Sequence, residues 1–259
     1  MSILFAGGFF ALMFGAIVGS FLNVVAIRYN TGTGLRGRSQ CLSCTRRLGA
    51  LQLIPVVSFI ALRGRCHSCK SAISFQYPLV EAITALTFLG TYSLMIGGAL
   101  TPYMSILMVI AFSLMIVITV YDLRHQIIPN MIVYLLLTVG IIRVALAFHG
   151  GEEVAARVVA AFSIAIVFAL LWLFSKGQWM GLGDAKLVLA LALLLPYPDN
   201  LEAVMLAFWT GALVGLALVA IGKLRSRGRL TIESEIPFAP FLILGFYIAF
   251  FVPLPILPL

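Results

Sequence analysis

Apolar residues run through this chain in long blocks, broken by short polar turns and by one longer polar stretch. The blocks cover about residues 3–27, 79–97, 102–121, 126–148, 154–175, 185–196, 201–222 and 237–257. Most approach the roughly 20 residues that a helix needs to cross a bilayer core. The pattern therefore predicts an all-α polytopic membrane protein of about eight transmembrane helices. The 185–196 block is the exception, since as a helix it would reach only about 18 Å against a core of about 30 Å. Either it continues back through the preceding GLGD, or it lies where protein and water thin the membrane. The first block lacks a basic leading region and ends in NVVAIR rather than in a small-residue cleavage site, so it reads as a first span and not as a signal peptide.

The polar stretch, residues 28–78, is the one soluble insertion. It divides the chain into a first helix (1–27), a small inserted domain (28–78) and a seven-helix membrane domain (79–259). The IPVVSFIALRGR segment within it suggests a few short strands, but 51 residues give too small a core to stand unaided. All four cysteines of the chain lie there: Cys41, Cys44, Cys66 and Cys69, spaced C-x2-C-x21-C-x2-C. The two halves also resemble each other, as CLSCTRRL and CHSCKSAI. Paired CxxC knuckles match a four-thiolate Zn2+ site, with a linker slightly beyond the usual length. Four sulfur ligands fill the coordination sphere, so such a zinc is structural. Disulfides and a redox CxxC are the competing readings. The first needs an oxidising compartment, and the second lacks a thioredoxin-like pattern around it.

Composition and charge sharpen this outline. The chain is 62% hydrophobic and only 10% charged, with a net charge of +8; a soluble domain carries about 25% charged residues. From Arg28 through Tyr77 there are eight Lys/Arg and no acid. Arg124, Lys176 and the group Lys223, Arg225, Arg227 and Arg229 follow alternate spans, while the intervening connections GGALTP, HGGEE and PYPDNLE hold no Lys or Arg. By the positive-inside rule the basic loops are cytosolic and both termini are outside. The basic bias thus reports orientation. A nucleic-acid patch on the insertion is the weaker alternative, and no nucleic acid is expected as a partner.

Against this background the aspartates stand out. There are three, and two of them end or begin apolar blocks: Asp122 after PYMSILMVIAFSLMIVITV-Tyr, and Asp184 in GLGD. A carboxylate beside hydrocarbon is costly and marks a functional group facing protein or water. The charge alternation places both at the cytosolic face. Two carboxylates that meet can divide the labour of hydrolysis, one ionised as general base and the other protonated to polarise a carbonyl. Gly181 and Gly183 would let substrate backbone approach closely, and Pro129 would start the helix after a short turn that fixes Asp122. The competing reading makes each aspartate an interfacial charge paired with Arg124 or Lys186. Asp199 falls on the opposite face and reads as a helix-start residue.

In these blocks the chain resembles the type IV prepilin peptidases, which belong to the GxGD class of aspartic membrane proteases. The similar segments are GSFLNVVAIR (19–28), the four-cysteine loop, YPLVEAIT (77–84), DLRHQIIPN (122–130), GLGDAKL (181–187) and IPFAPFLILG (236–245), in that order. The family often carries Asp where this chain has Asn130, and Gly where it has Ala239. The resemblance implies catalytic Asp122 and Asp184. It also implies that the substrates are prepilins or pseudopilins, with a short basic leader cut from an apolar helix at the cytosolic edge of the bacterial inner membrane. Glu81, Glu233 and Glu235 are the glutamates available to a basic leader on that side. Many members also methylate the new amino terminus with S-adenosylmethionine, and the complete cysteine loop leans toward that second activity. No Gly-rich nucleotide turn marks a methyl-donor site. A transporter with a zinc-stabilised domain and a broader intramembrane GxGD protease are the alternatives. The first expects mid-membrane acids and repeated halves, and the second expects no cysteine loop here.

Overall fold

The computed structural model describes residues 2–31, 34, 37–149, 154–224 and 237–252. Among them the secondary structure is helical: α1 (Ser2–Arg28), α2 (Val57–Ala61), α3 (Gln76–Ile96), α4 (Pro102–His125), α5 (Asn130–His149), α6 (Val154–Ser175), α7 (Leu182–Leu194), α8 (Asp199–Leu224) and α9 (Ala239–Phe251). Six of these, α1, α3, α4, α5, α6 and α8, are long and apolar enough to cross a membrane. The chain is thus an all-α polytopic membrane protein. The remaining two apolar helices, α7 and α9, have 13 residues each. At 1.5 Å per residue each reaches about 20 Å, less than a full bilayer core.

Helix α7 does extend back into GLGD, starting at Leu182, and Pro196 lies just past its end. Its shortness is offset by its surroundings. From Asp184 to Leu194 most of its side chains are buried, and it packs against α5 on one side and α6 on another. Helices α8 and α9 form a further close pair in the same compact unit, Tyr121–Leu259.

The other unit, Met1–Val120, is organised around the pairing of α1 with α3. Gly15 and Gly19, a G-x-x-x-G pair, make this possible. A Cβ on Gly15 would stand 2.8 Å from the Ala85 Cα, and one on Gly19 would stand 2.8 Å from the Glu81 Cα. Small residues four apart let membrane helices approach to backbone contact. A buried polar clasp closes the pair at its insertion end. The Asn23 amide donates to the Gly19 and Tyr77 carbonyls at 3.3 and 3.2 Å, and the Gln76 amide donates to Asn23 Oδ1 at 3.2 Å.

The insertion does not form the short strands expected of it. Among its described residues the only β pairing is two isolated bridges, Gln40 with Arg47 and Arg65 with Ala72. Residues 50–61, which end in IPVVSFIA, fold instead as a 3-10 turn (Ala50–Leu53) followed by α2. Pro55 has no N–H for a ladder, and among the described residues no neighbouring strand is available to pair with it.

Candidate active site and cysteine cluster

Asp122 sits in the last turn of α4, where its carbonyl accepts the Gln126 N–H at 2.8 Å. Gln126 takes a left-handed φ of 53°, which turns the chain out of α4. Pro129 then fixes the entry to α5, and its carbonyl accepts the N–H groups of Ile132 and Val133, both at 3.1 Å. Asp184 lies in the first turn of α7. Its Oδ2 accepts the Gly181 N–H at 3.2 Å, while its own N–H donates to the Gly181 carbonyl at 3.1 Å. This reciprocal pair caps the helix start.

The two carboxylates are brought together. They are close enough for the charge of Asp122 to act on Asp184, and both are nearly buried, at 4% and 8% exposure. Their immediate surroundings differ. Asp184 receives a backbone N–H, whereas Asp122 Oδ2 is buried with no hydrogen-bond partner among the described residues.

The reason they meet is visible at Gly183. A Cβ there would lie 3.1 Å from both Cβ and Cδ1 of Ile128, the residue before Pro129. The absent side chain thus lets the turn that follows Asp122 rest on the first turn of α7. Gly181 is different, since a Cβ would meet Asp184 Oδ2 at an ordinary 3.5 Å. No clash within the protein demands glycine there.

Lys186, considered from sequence as a partner for an aspartate, points elsewhere. Its ammonium donates to Asn130 Oδ1 at 3.2 Å and stands 5.6 Å above the Tyr134 ring. It ties the start of α7 to the start of α5. Ile128 and this Lys186–Asn130–Tyr134 contact went unread in the sequence, because nothing in a linear chain signals which loop rests on which helix. Asp199 opens α8, after the far end of α7 from Asp184.

Glu81 is buried in α3. Its carboxylate accepts the Val56 N–H at 2.7 Å. It is occupied in joining the insertion to the helix pair. Glu233 and Glu235 lie outside the described residues.

The four cysteines converge. The Sγ atoms of Cys41, Cys44, Cys66 and Cys69 all lie within 4.8 Å of one another. Cys41 and Cys69 are 3.8 Å apart, about the edge of a tetrahedron with metal–sulfur bonds of about 2.3 Å. A disulfide would need about 2.05 Å, and all four thiols are free. The two knuckles repeat each other bond for bond. Thr45 and Lys70 donate to the carbonyls of Cys41 and Cys66, each from a left-handed residue, and Cys41 and Cys66 donate to Arg46 and Ser71. Backbone N–H groups of Cys44 and then Ser43 hold the Cys41 thiol down to about 6. The Ser71 hydroxyl lowers Cys69 in the same direction. Cys44 goes the other way: against the lowering N–H of Arg46, desolvation and the neighbouring Cys69 and Cys41 sulfurs push its thiol up to about 11. Four sulfurs gathered within 4.8 Å of one another fit a bound metal ion.

Residues 107–216 match the Type IV leader peptidase family, and residues 13–95 match the Bacterial Peptidase A24 N-terminal domain. A prepilin leader peptidase/N-methyltransferase of Burkholderia pseudomallei (strain 1026b) is 31% identical, over 91% of this chain and 82% of its own. The protein of the same description from Bacillus subtilis (strain 168) is 30% identical, over 92% and 91%. That from Legionella pneumophila is 32% identical, over 83% and 72%. No solved structure matches. The aspartates of α4 and α7, the four-cysteine insertion and the matches over nearly the whole chain lead to one assignment: this chain belongs to the type IV leader peptidase family.

Proposed function

We infer that the protein is an aspartic endopeptidase of the membrane that removes the basic leader of type IV prepilins or pseudopilins and then N-methylates the new amino terminus. The observation that carries the hydrolytic part is the meeting of Asp122 and Asp184, one at the end of a span and the other in the first turn of a short enclosed helix. In the proposed reaction one carboxylate removes a proton from water as its oxygen attacks the scissile carbonyl carbon. The other, protonated, donates to the carbonyl oxygen. The tetrahedral intermediate then collapses, the C–N bond breaks, and the departing amine takes up a proton. A carboxylate that accepts an N–H is better placed to carry charge, so Asp184 suits the base, and Asp122, whose Oδ2 has no donor, suits the acid.

The remaining assignments belong to the same proposal. Zn2+ held by Cys41, Cys44, Cys66 and Cys69 would keep the insertion folded, since four thiolates leave no position open for catalysis. S-adenosylmethionine would supply the methyl group. The eight apolar helices would each be a span, with both termini outside and the insertion and aspartates at the cytosolic face of the inner membrane. Gly181 would give the substrate backbone access to the pair, and Glu233 and Glu235 would receive the basic leader. Incubating the protein with a prepilin, with and without S-adenosylmethionine, and weighing the products tests this. A leader-sized mass loss plus one methyl group is expected; an intact prepilin overturns the reading.

A further inference from the structure

The insertion exposes an apolar face where a soluble domain would expose a polar one. In the 3-10 turn and α2, Leu51, Leu53, Ile54, Val57 and Ile60 are 79%, 42%, 36%, 59% and 68% exposed. From Leu48 to Leu62 there is no charged residue, and the segment is bracketed by exposed arginines, Arg46 and Arg47 before it and Arg63 and Arg65 after it. An apolar stretch flanked by arginines is the pattern of a segment lying in the headgroup layer, with hydrocarbon below and anionic phosphates around it.

Two further observations place this segment at membrane level. The Val56 N–H is bonded to Glu81, five residues inside α3. That is about 7.5 Å along the helix from Gln76. Glu81 in turn faces Gly19, nine residues before the end of α1, or about 13 Å in along that helix. A glutamate side chain leaning back toward its helix start recovers at most about one turn of this depth. The segment's backbone is also closed on itself. Ser58, Ile60 and Leu62 donate to Ile54, Val56 and Ser58, and Val57 donates to Pro55. Backbone at the edge of hydrocarbon must be satisfied internally in this way. Val56 itself is held at φ 60°, an unusual region for a β-branched residue, in the turn that directs the following helix.

We propose that residues 51–61 form an interfacial anchor, dipping into a leaflet of anionic phospholipid and seated at that depth by the Glu81–Val56 bond. The arginines favour anionic lipid over a basic peptide, so the leader of a prepilin is not the occupant of this face.

The test is photocrosslinking of the full-length protein in bilayers of equal phosphatidylglycerol and phosphatidylcholine. Benzoylphenylalanine is placed at Ile60 or, separately, at Leu51, with the same group at lipid-facing Phe10 (74% exposed) as the reference. A lipid adduct at either position with at least a fifth of the Phe10 yield is expected, favouring phosphatidylglycerol by about threefold. Yields below a fifth at both positions, or adducts that shift from lipid to added prepilin, overturn the anchor. Equal adducts of the two lipids overturn the part assigned to the arginines.

Discussion

Replacing Gly183 with alanine separates the architecture of the site from its chemistry. The new methyl would sit 3.1 Å from Cβ and Cδ1 of Ile128 and 3.4 Å from its Cγ1. Comfortable carbon contacts are about 3.5–4.0 Å. Relief requires movement of some tenths of an ångström, and little can move. Ile128 is β-branched, and it lies between the left-handed Gln126 and Pro129, whose φ is fixed by its ring. Overpacking of this kind costs about 1–3 kcal/mol. Alanine in place of helical glycine returns at most about 1 kcal/mol, and less in a first turn. The clash therefore wins, with a net loss of about 1 kcal/mol.

Activity should suffer more than stability, because the displaced turn follows Asp122 directly. A misplacement of about 1 Å can cost about 10²-fold in rate, so half of that gives about tenfold. The assay is prepilin cleavage by gel alongside thermal unfolding in detergent. Gly183→Ala should lose about tenfold in kcat/KM, and adding Ile128→Ala should restore part of it, with a coupling above about 0.5 kcal/mol. Gly181→Ala meets only an ordinary contact. It should fold normally and raise KM, if substrate backbone passes there. A Gly183→Ala protein with unchanged unfolding and unchanged kcat/KM would refute the contact as the device that brings the aspartates together.

Asp122→Asn and Asp184→Asn should each lower cleavage by about 10²–10⁴-fold, with the double variant no worse than either single one, as members of one unit behave; an active, folded Asp184→Asn protein removes the aspartic mechanism. The wild-type rate should fall at both the acid and the alkaline end, since one carboxyl must keep its proton and the other must lose it. Cys44→Ser should abolish a zinc content of about one ion per chain and loosen the insertion, while cleavage falls only in part; a metal-free wild type purified without chelators would contradict this. Reporter fusions after residues 50 and 98 should report opposite sides of the membrane, and a shared side would overturn the topology.

The long helices were legible because a lipid-facing helix must be apolar over its whole length, and the blocks mark their positions to within a few residues. Helix α7 was harder, since a helix enclosed by protein is released from the length rule, and its 13 residues gave two readings. The insertion was legible in its cysteines and not in its backbone. The knuckle spacing announces the cluster, but IPVVSFIA carries apolar residues without a period, and a proline excludes a strand only after the fact. The G-x-x-x-G of α1 was in plain view within an apolar block, and reading it would have marked the face on which α1 packs closely, though not α3 as its partner. Glu81 could not have been assigned: an acid near a membrane edge looks the same whether it awaits a cation or holds a backbone N–H. Asn130 shows the converse. Where the family often has Asp, the amide oxygen still accepts Lys186, and at an exposed site an ion pair there would add only about 0–1 kcal/mol.

The unsatisfied Oδ2 of Asp122 ties stability to function. A buried acceptor without a donor costs about 1–3 kcal/mol, and Asp122 is 4% exposed with that oxygen unpartnered among the described residues. In the proposed reaction that cost is stability given up at the site where a proton or a substrate group would enter. It follows that Asp122→Ala, which removes the orphaned oxygen and leaves only a small void, should unfold at a higher temperature than the wild type while losing cleavage. Asp184→Ala should do the opposite, because it strips the Gly181 N–H of its acceptor and uncaps α7, a loss of about 0.5–2 kcal/mol. If both alanine variants are destabilised alike, the two carboxylates are held equivalently and the division into acid and base drawn from their surroundings fails.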